Sequence, residues 1–211
     1  MVFTEKSLRQ FAEELASGAP VPGGGAAAAL AGATGVALIS MVCNLTVGRE
    51  KFREVEAEMQ AVLAKSEALL RQLLDLLEAD TQVYSQVMAA YRLPRADDAQ
   101  KRARTAAIQE ALKAACKVPM DTARACGQAI DLCPTAAEKG NVGAVSDVGV
   151  GAILAAAGLE SAALNVKINL ASIKDVAFVE ATGRELAQLL AEKLALKDQV
   201  VKAVESKLGG S

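Results

Sequence analysis

The segment from Pro20 to Phe52, PVPGGGAAAALAGATGVALISMVCNLTVGREKF, constrains the fold more than any other part of the chain. Three consecutive glycines lead into small and aliphatic residues, and no charged residue occurs in this segment before Arg49. Because alanine and leucine favour helix, we expect a helix over about residues 25–47 that is apolar on all sides. Such a helix belongs in the core of a protein or in a membrane.

The composition of this helix favours a protein core. Its length would allow it to cross a bilayer, but it consists mainly of Ala and Gly and contains Ser40 and Asn44, which oppose membrane insertion. A second helix of the same character is expected over about residues 147–171. Two such helices need much apolar cover from one chain of 211 residues. We therefore expect no membrane insertion and a second subunit that supplies part of the cover.

The rest of the chain also has helical periodicity, and no segment alternates as strands do. Further helices are expected over about residues 4–17, 51–92, 97–117, 119–134 and 176–207. In this scheme Pro119 opens a helix and Pro134 ends it. We predict one all-α domain, a helical bundle over residues 1–208 with two buried Ala/Gly-rich helices. Residues 209–211, with the sequence Gly-Gly-Ser, are expected to form a flexible tail.

Composition limits the chemistry that this chain can perform. It contains no histidine, the residue that most often acts as a base near neutral pH and most often binds metals. A net charge of −2 gives no basic surface for nucleic acid. The four cysteines form no C-x-x-C pair, so we expect them to be small buried residues. The N-terminus lacks the pattern of a signal peptide, and we expect a cytoplasmic protein without a metal site.

Asp80 stands out because it lies on an apolar helix face. Residues spaced mainly three or four apart form this face: Leu69, Leu73, Leu76, Asp80, Val83, Tyr84, Val87 and Tyr91. A carboxylate removed from water must find donors or a cation, or its pKa rises. Asp80 is therefore a candidate general acid or base. A structural Asp that hydrogen-bonds a neighbouring helix would give the same pattern.

The amides of Asn44, Asn165 and Asn169 fall within the two apolar helices. Asn165 and Asn169 are four residues apart and share a helix face. Amides in a core need hydrogen-bond partners. They either join helices or orient a polar ring of a ligand.

Two loops add further candidates. Gly23, Gly24 and Gly25 offer unobstructed backbone N–H groups at a helix N-terminus, which favour an anion or the polar edge of a ring. No Gly-Lys-Ser/Thr follows and no strand precedes them, so this is neither a Walker loop nor a dinucleotide fingerprint. In EKGNVGAVSDVGVG, Asn141 lies in a loop bounded by glycines. Ser146 and Asp147 follow where a helix should start, and one of them is expected to cap it.

Several segments, in this order along the chain, resemble the formiminotransferase-cyclodeaminase / methenyltetrahydrofolate cyclohydrolase family. They are the glycine segment quoted above, EADTQVYSQVMAAYRLPR, KVPMDTA, EKGNVGAVSDVGVGA and SAALNVKINL. The resemblance covers nearly the whole chain. It implies an all-α homodimer that acts on a folate one-carbon substrate without a metal or redox cofactor.

The resemblance also implies roles for individual residues. The catalytic carboxylate of the family lies in an acidic-x-Asp-x-x-x-aromatic stretch, which here is EADTQVY and assigns that role to Asp80. The Gly23–Gly25 loop, GNVGAVSD and NVKIN match segments expected around the folate pocket. Asp147 and Asn165, however, would be about 27 Å apart on a straight helix. Either the helix bends, or its two ends serve different sites, or a partner chain completes each site.

The implied activity is that of a stand-alone cyclohydrolase, which hydrolyses the methenyl bridge of methenyltetrahydrofolate to give formyltetrahydrofolate. The amino-terminal transferase domain of the bifunctional members is missing from this sequence, so we expect no formimino transfer. Formiminotetrahydrofolate cyclodeaminase activity at the same site is the alternative. A non-catalytic helical scaffold or binding dimer is the alternative from a different class.

Overall fold

A computed structural model describes residues 2–209, which contain helices and turns but no strand. The α-helices are α1 (Leu8–Leu15), α2 (Gly24–Asn44), α3 (Glu56–Tyr91), α4 (Asp98–Lys139), α5 (Val145–Leu170) and α6 (Val176–Gly209). Short 3₁₀ helices, Glu50–Val55 and Val142–Ala144, precede α3 and α5. The prediction of a single all-α domain is confirmed. Gly209 of the predicted tail ends α6, and residues 210–211 lie outside the described residues.

The central pair of helices, α2 and α5, packs backbone against backbone. A Cβ atom added to Gly35 would lie 2.6 Å from the carbonyl oxygen of Gly151, and one added to Gly158 would lie 2.9 Å from that of Ala28. Side chains at these glycines would force the helices apart. The pairing of 35 with 151 and of 28 with 158 makes the two helices antiparallel. The N-terminus of α2 therefore lies beside the C-terminal end of α5.

The helices α3, α4 and α6 pack around this pair. Two helical segments, Gly24–Asn44 and Val142–Leu170, are long and apolar enough to cross a membrane, with mean hydropathies of 2.0 and 1.8. The buried share of their apolar windows is 61% and 56%. Central helices of a protein core have the same length and composition, so the two buried Ala/Gly-rich helices are present as predicted. The remaining share faces outward.

The prediction of helix boundaries at Pro119 and Pro134 is wrong, because both prolines lie inside the continuous helix α4. A proline inside a helix removes one backbone hydrogen bond, and packing against α3, α5 and α6 offsets that loss here. Pro119 leaves the carbonyl of Ala115 without its usual i+4 donor. The side-chain amide of Asn169 donates to that carbonyl at 3.4 Å.

The N-terminal segment packs against the start of α2 and the middle of α3. Ser7 caps α1: its hydroxyl accepts from the amide of Gln10, and its own amide donates to the Gln10 side chain. The rings of Phe3 and Phe11 meet edge to face, 6.3 Å between centroids, and join a small buried cluster with Leu77. This cluster lies one helical turn from Asp80.

Candidate active site

A cavity of about 310 Å³ lies where the N-terminus of α2 meets α3, α4 and the C-terminal end of α5. We call it the Asp80 cavity; its lining comprises Pro20, Val21, Gly23, Gly24, Gly25, Asp80, Val83, Tyr84, Val87, Ala115, Asn165, Ile168 and Asn169. Its walls are mostly apolar and carry a few polar groups, as is usual for small-molecule sites. Six predicted site residues lie together here: the three glycines, Asp80, Asn165 and Asn169.

Asp80 is largely removed from water and is held by the first turn of α2. The backbone amide of Ala26 donates to Asp80 Oδ2 at 3.0 Å. Burial raises the pKa of Asp80, and the hydrogen bond from Ala26 opposes that shift only in part. The carboxyl group thus has one fixed oxygen, and its pKa is moved towards neutrality. Both properties suit a group that accepts and returns a proton.

The glycine loop is fitted closely to this carboxyl group. A Cβ atom added to Gly25 would lie 2.0 Å from Asp80 Oδ1, closer than any two such atoms can approach. A Cβ atom on Gly24 would lie 3.5 Å from the Asn165 carbonyl oxygen, which is ordinary contact. Gly25 is therefore required for Asp80 to approach α2. The unpaired amides at the start of a helix also direct partial positive charge into the cavity.

The side-chain amides of Asn165 and Asn169 donate their N–H groups to backbone carbonyls. Asn165 Nδ2 donates to the carbonyl of Ser161 at 2.9 Å, and Asn169 Nδ2 donates to the carbonyls of Asn165 and Ala115. Within the described chain neither side-chain carbonyl oxygen receives a hydrogen bond. The two amides therefore present acceptors to the cavity and suit a ligand edge that carries N–H donors.

Part of the cavity wall was not assigned from the sequence. Val83, Tyr84 and Val87 lie on the predicted face of α3, but that face gave no indication of which residues meet a cavity. Tyr84 is 41% exposed and stands one helical turn after Asp80. Ala115 and Ile168 were missed. Pro119 was the available signal for Ala115, because a proline frees the carbonyl four residues earlier.

The other predicted site residues lie at the opposite end of the α2–α5 pair. Asn141 makes three hydrogen bonds there. Its backbone N–H donates to Thr46 Oγ1 at 2.9 Å, and its side-chain Nδ2 donates to the carbonyl of Leu45 at 3.3 Å. Its Oδ1 accepts from the backbone N–H of Gly143 at 3.1 Å. These bonds join the 3₁₀ turn before α5 to the end of α2. In one chain, Asn141 therefore has an architectural role and lies far from Asp80.

Asn44, Ser146 and Asp147 also lie at this end. Asn44 was expected to be buried, but it is exposed at the last turn of α2. Neither Ser146 nor Asp147 caps α5, since the N-cap position is Ala144 and carries no side-chain cap. Asp147 is half-buried in the first turn of α5 and makes no hydrogen bond to another described residue. In a single chain these residues do not join the Asp80 cavity.

The described residues contain no group of three or more Cys, Asp or Glu placed to hold a metal ion. All four cysteines are buried and free. Burial raises the pKa of Cys43 to about 11 and that of Cys126 to about 12, so both remain thiols. Asp80 is thus the one titratable group that lines the cavity besides the phenol of Tyr84. The arrangement can move one proton beside a ligand held by backbone amides and side-chain carbonyls.

Known proteins match this chain over nearly its whole length. The formiminotransferase-cyclodeaminase family matches residues 7–188. A methenyltetrahydrofolate cyclohydrolase of Methylorubrum extorquens is 49% identical over 96% of this chain and 98% of its own. The formimidoyltransferase-cyclodeaminase of Rattus norvegicus is 32% identical over 96% of this chain, which spans only 38% of that enzyme. A crystal structure of formiminotetrahydrofolate cyclodeaminase from Thermotoga maritima superposes with a TM-score of 0.80 at 31% identity and covers 98% of both chains. The chain belongs to the formiminotransferase-cyclodeaminase family.

Proposed function

We propose that this protein is a methenyltetrahydrofolate cyclohydrolase whose proton-transfer group is Asp80. The observation that carries the proposal is a carboxyl group of raised pKa, fixed by Ala26 and fitted against Gly25, in a cavity large enough for a fused ring. The full-length similarity to a cyclohydrolase at 49% identity supports the same substrate.

The substrate's reactive carbon joins two nitrogens as a cationic amidinium. Asp80, ionised, stabilises that cation and accepts one proton as water forms a bond to the carbon. The neutral adduct then breaks one carbon–nitrogen bond. Asp80 returns the proton to the departing nitrogen, while the hydroxyl proton is lost and the carbonyl of the formyl group forms. The reaction consumes one water, releases one proton and transfers no electrons, so it needs no redox cofactor.

The acceptors of Asn165 and Asn169 fit the pyrimidine edge of a pterin, which carries an amino group and a ring N–H as adjacent donors. Tyr84 and Val87 supply apolar surface against the ring. Water must reach the one-carbon bridge near Asp80.

Cyclodeaminase activity is the second candidate, because the rat relative and the Thermotoga maritima structure carry that name. There a folate nitrogen would attack the formimino carbon, and Asp80 would protonate the departing ammonia. The same groups serve both reactions. The higher identity of the cyclohydrolase relative, 49% against 32% and 31% for the two cyclodeaminases, favours hydrolysis in this chain.

The proposal includes a homodimer in the cytoplasm. The outward apolar faces of α2 and α5 support self-association, and four free buried cysteines fit a reducing compartment. Sedimentation of the purified protein without detergent tests the first part.

The assay that tests the activity follows methenyl absorbance with each folate supplied separately. Decay of methenyltetrahydrofolate above the spontaneous rate is the expected result. Growth of methenyl absorbance from formiminotetrahydrofolate, with release of ammonia, would indicate the cyclodeaminase instead. A folded protein that changes neither rate would be a non-catalytic binding or scaffold protein.

A further inference from the structure

Helix α4 contains two prolines at interior positions, and their surroundings differ. Pro119 is buried, whereas Pro134 is exposed. Each lacks a backbone N–H, so the carbonyls four residues earlier, those of Ala115 and Ile130, lose their usual donor. Ala115 lines the Asp80 cavity, whereas neither Ile130 nor Pro134 does. The two prolines lie about 22 Å apart along the helix, so only one of them can act on the cavity.

The two freed carbonyls also differ in what they bind. Asn169 Nδ2 donates to the carbonyl of Ala115 at 3.4 Å, whereas no side chain among residues 2–209 donates to the carbonyl of Ile130. The ring of a proline also crowds the carbonyl four residues earlier, which opens the helix on that side. Pro119 therefore leaves the carbonyl of Ala115 available to α5, and Asn169 occupies it.

The bond to Ala115 fixes which way the side-chain amide of Asn169 faces. Its nitrogen carries two N–H groups, and they are directed to the carbonyl of Asn165, at 2.9 Å, and to that of Ala115. A flipped amide would set Oδ1 against these two carbonyl oxygens, and all three are acceptors. With both N–H groups occupied, Oδ1 is the side-chain atom left for the cavity. Asn165 has one bonded N–H group, to Ser161, and is less constrained.

These contacts connect a buried proline to ligand recognition. We infer that Pro119 is a positioning residue for the ligand of the Asp80 cavity, although it does not line that cavity. By freeing the carbonyl of Ala115, it holds the Asn169 amide with its oxygen towards the ligand and so selects a ligand edge that carries N–H donors. The identity of that ligand rests on the proposed function, in which the donor edge belongs to a pterin.

Pro119→Ala tests this role, with Pro134→Ala as the matched control. The first variant supplies an N–H that competes for the carbonyl of Ala115, so KM for methenyltetrahydrofolate should rise roughly 3- to 10-fold while kcat changes less than about 2-fold. The second restores the same kind of backbone bond, to Ile130, and should leave both constants unchanged. Equal changes in the two variants, or a lowered kcat with unchanged KM in Pro119→Ala, would contradict the inference.

A double-substitution cycle distinguishes positioning through Asn169 from a general disturbance of α4. Asn169→Ala should raise KM by about 10-fold, since it removes the acceptor itself. In that background Pro119→Ala should add less than about 2-fold, because the amide through which it acts is gone. Independent effects would instead multiply. A multiplied increase in KM would show that Pro119 affects binding by another route, and the inference would be wrong.

The same variants test the hydrogen bond without reference to activity. With Pro119 in place, Asn169→Ala leaves the carbonyl of Ala115 without a side-chain donor and should lower the melting temperature by at least about 2 °C. In the Pro119→Ala background the restored N–H serves that carbonyl, so the same substitution should cause about half that decrease or less. Equal decreases would overturn the inference. Turnover of neither folate by the wild type would refute the proposed function, while the melting temperatures would still decide whether Pro119 and Asn169 are coupled.

Discussion

The two ends of the α2–α5 pair use the same residue types for different purposes. At one end Asn141 joins the 3₁₀ turn to α2 through three hydrogen bonds that occupy its amide and side chain. At the other end Asn165 and Asn169 bond backbone carbonyls through their N–H groups and keep their carbonyl oxygens for the cavity. The side-chain atoms that remain without a hydrogen bond therefore distinguish an asparagine that joins two segments from one that can bind a ligand.

The same contrast applies to the carboxylates. Asp80 is held by α2 in a cavity, and burial raises its pKa. Asp147 lies half-buried at the edge of an open apolar face without a hydrogen bond to another described residue. One end is a formed site, whereas the other end lies outside that site in a single chain. The variants below test this division, beginning with the largest expected effect.

Asp80→Asn should lower cyclohydrolase turnover by roughly 100-fold or more, because the amide cannot accept the proton from water. The Asn side-chain oxygen can still accept from Ala26, so the fold should be retained. Steady-state kinetics with methenyltetrahydrofolate, combined with circular dichroism, measure both effects. A well-folded variant with wild-type turnover would remove Asp80 from the mechanism.

Gly25→Ala should lower turnover by at least about 10-fold, because its methyl group would occupy the position of Asp80 Oδ1. Gly183→Ala is the matched control: its Cβ would meet no atom within 4 Å, and the helix position should gain up to about 1 kcal/mol of stability. Equal loss of activity in both variants would show that the fit between Gly25 and Asp80 is unimportant.

Asn165→Ala and Asn141→Ala should affect different properties, because one residue lines the cavity and the other joins two segments of the fold. The first should raise KM by about 10-fold, since it removes an acceptor from the cavity. The second should lower the free energy of unfolding by about 0.5–1.5 kcal/mol, because it removes the side-chain hydrogen bonds to Leu45 and Gly143. Urea denaturation and substrate titration measure the two effects. A raised KM in Asn141→Ala together with a lowered free energy of unfolding in Asn165→Ala would contradict this division between the two ends.

The smallest expected effect is on stability. Because burial raises the pKa of Asp80, the folded protein binds its proton more tightly than the unfolded chain and is stabilised as the pH falls through the raised value. At pH 7 the charged form costs stability, so Asp80→Asn should melt at a higher temperature than the wild type, by about 2–4 °C per kcal/mol. That gap should close as the pH approaches 4. A gap that widens in acid would contradict the direction of the pKa shift.

The sequence predicted much of the Asp80 cavity, because helix periodicity and glycine runs can be recognised in short segments. Helical spacing identified Asp80 as a carboxylate on an apolar face, and the glycine run marked the helix start that meets it. The continuity of α4 was not predicted, because local proline chemistry favours a break at Pro119 and only packing by other helices overrides it. The resemblance to the family grouped Asn141 and Asp147 with Asn165 around one pocket, whereas helix length alone places Asp147 about 27 Å from Asn165.

The pH dependence of kcat/KM for methenyltetrahydrofolate tests the central claim most directly, because it reports the ionisation of groups in the free enzyme. With the spontaneous rate subtracted, the wild type should lose activity towards acid with an apparent pKa above the ordinary aspartate value of about 3.9. The residual activity of Asp80→Asn should lack that limb. A wild-type profile that stays flat down to pH 4, or an identical acidic limb in Asp80→Asn, would contradict the role of Asp80 as the proton-transfer group.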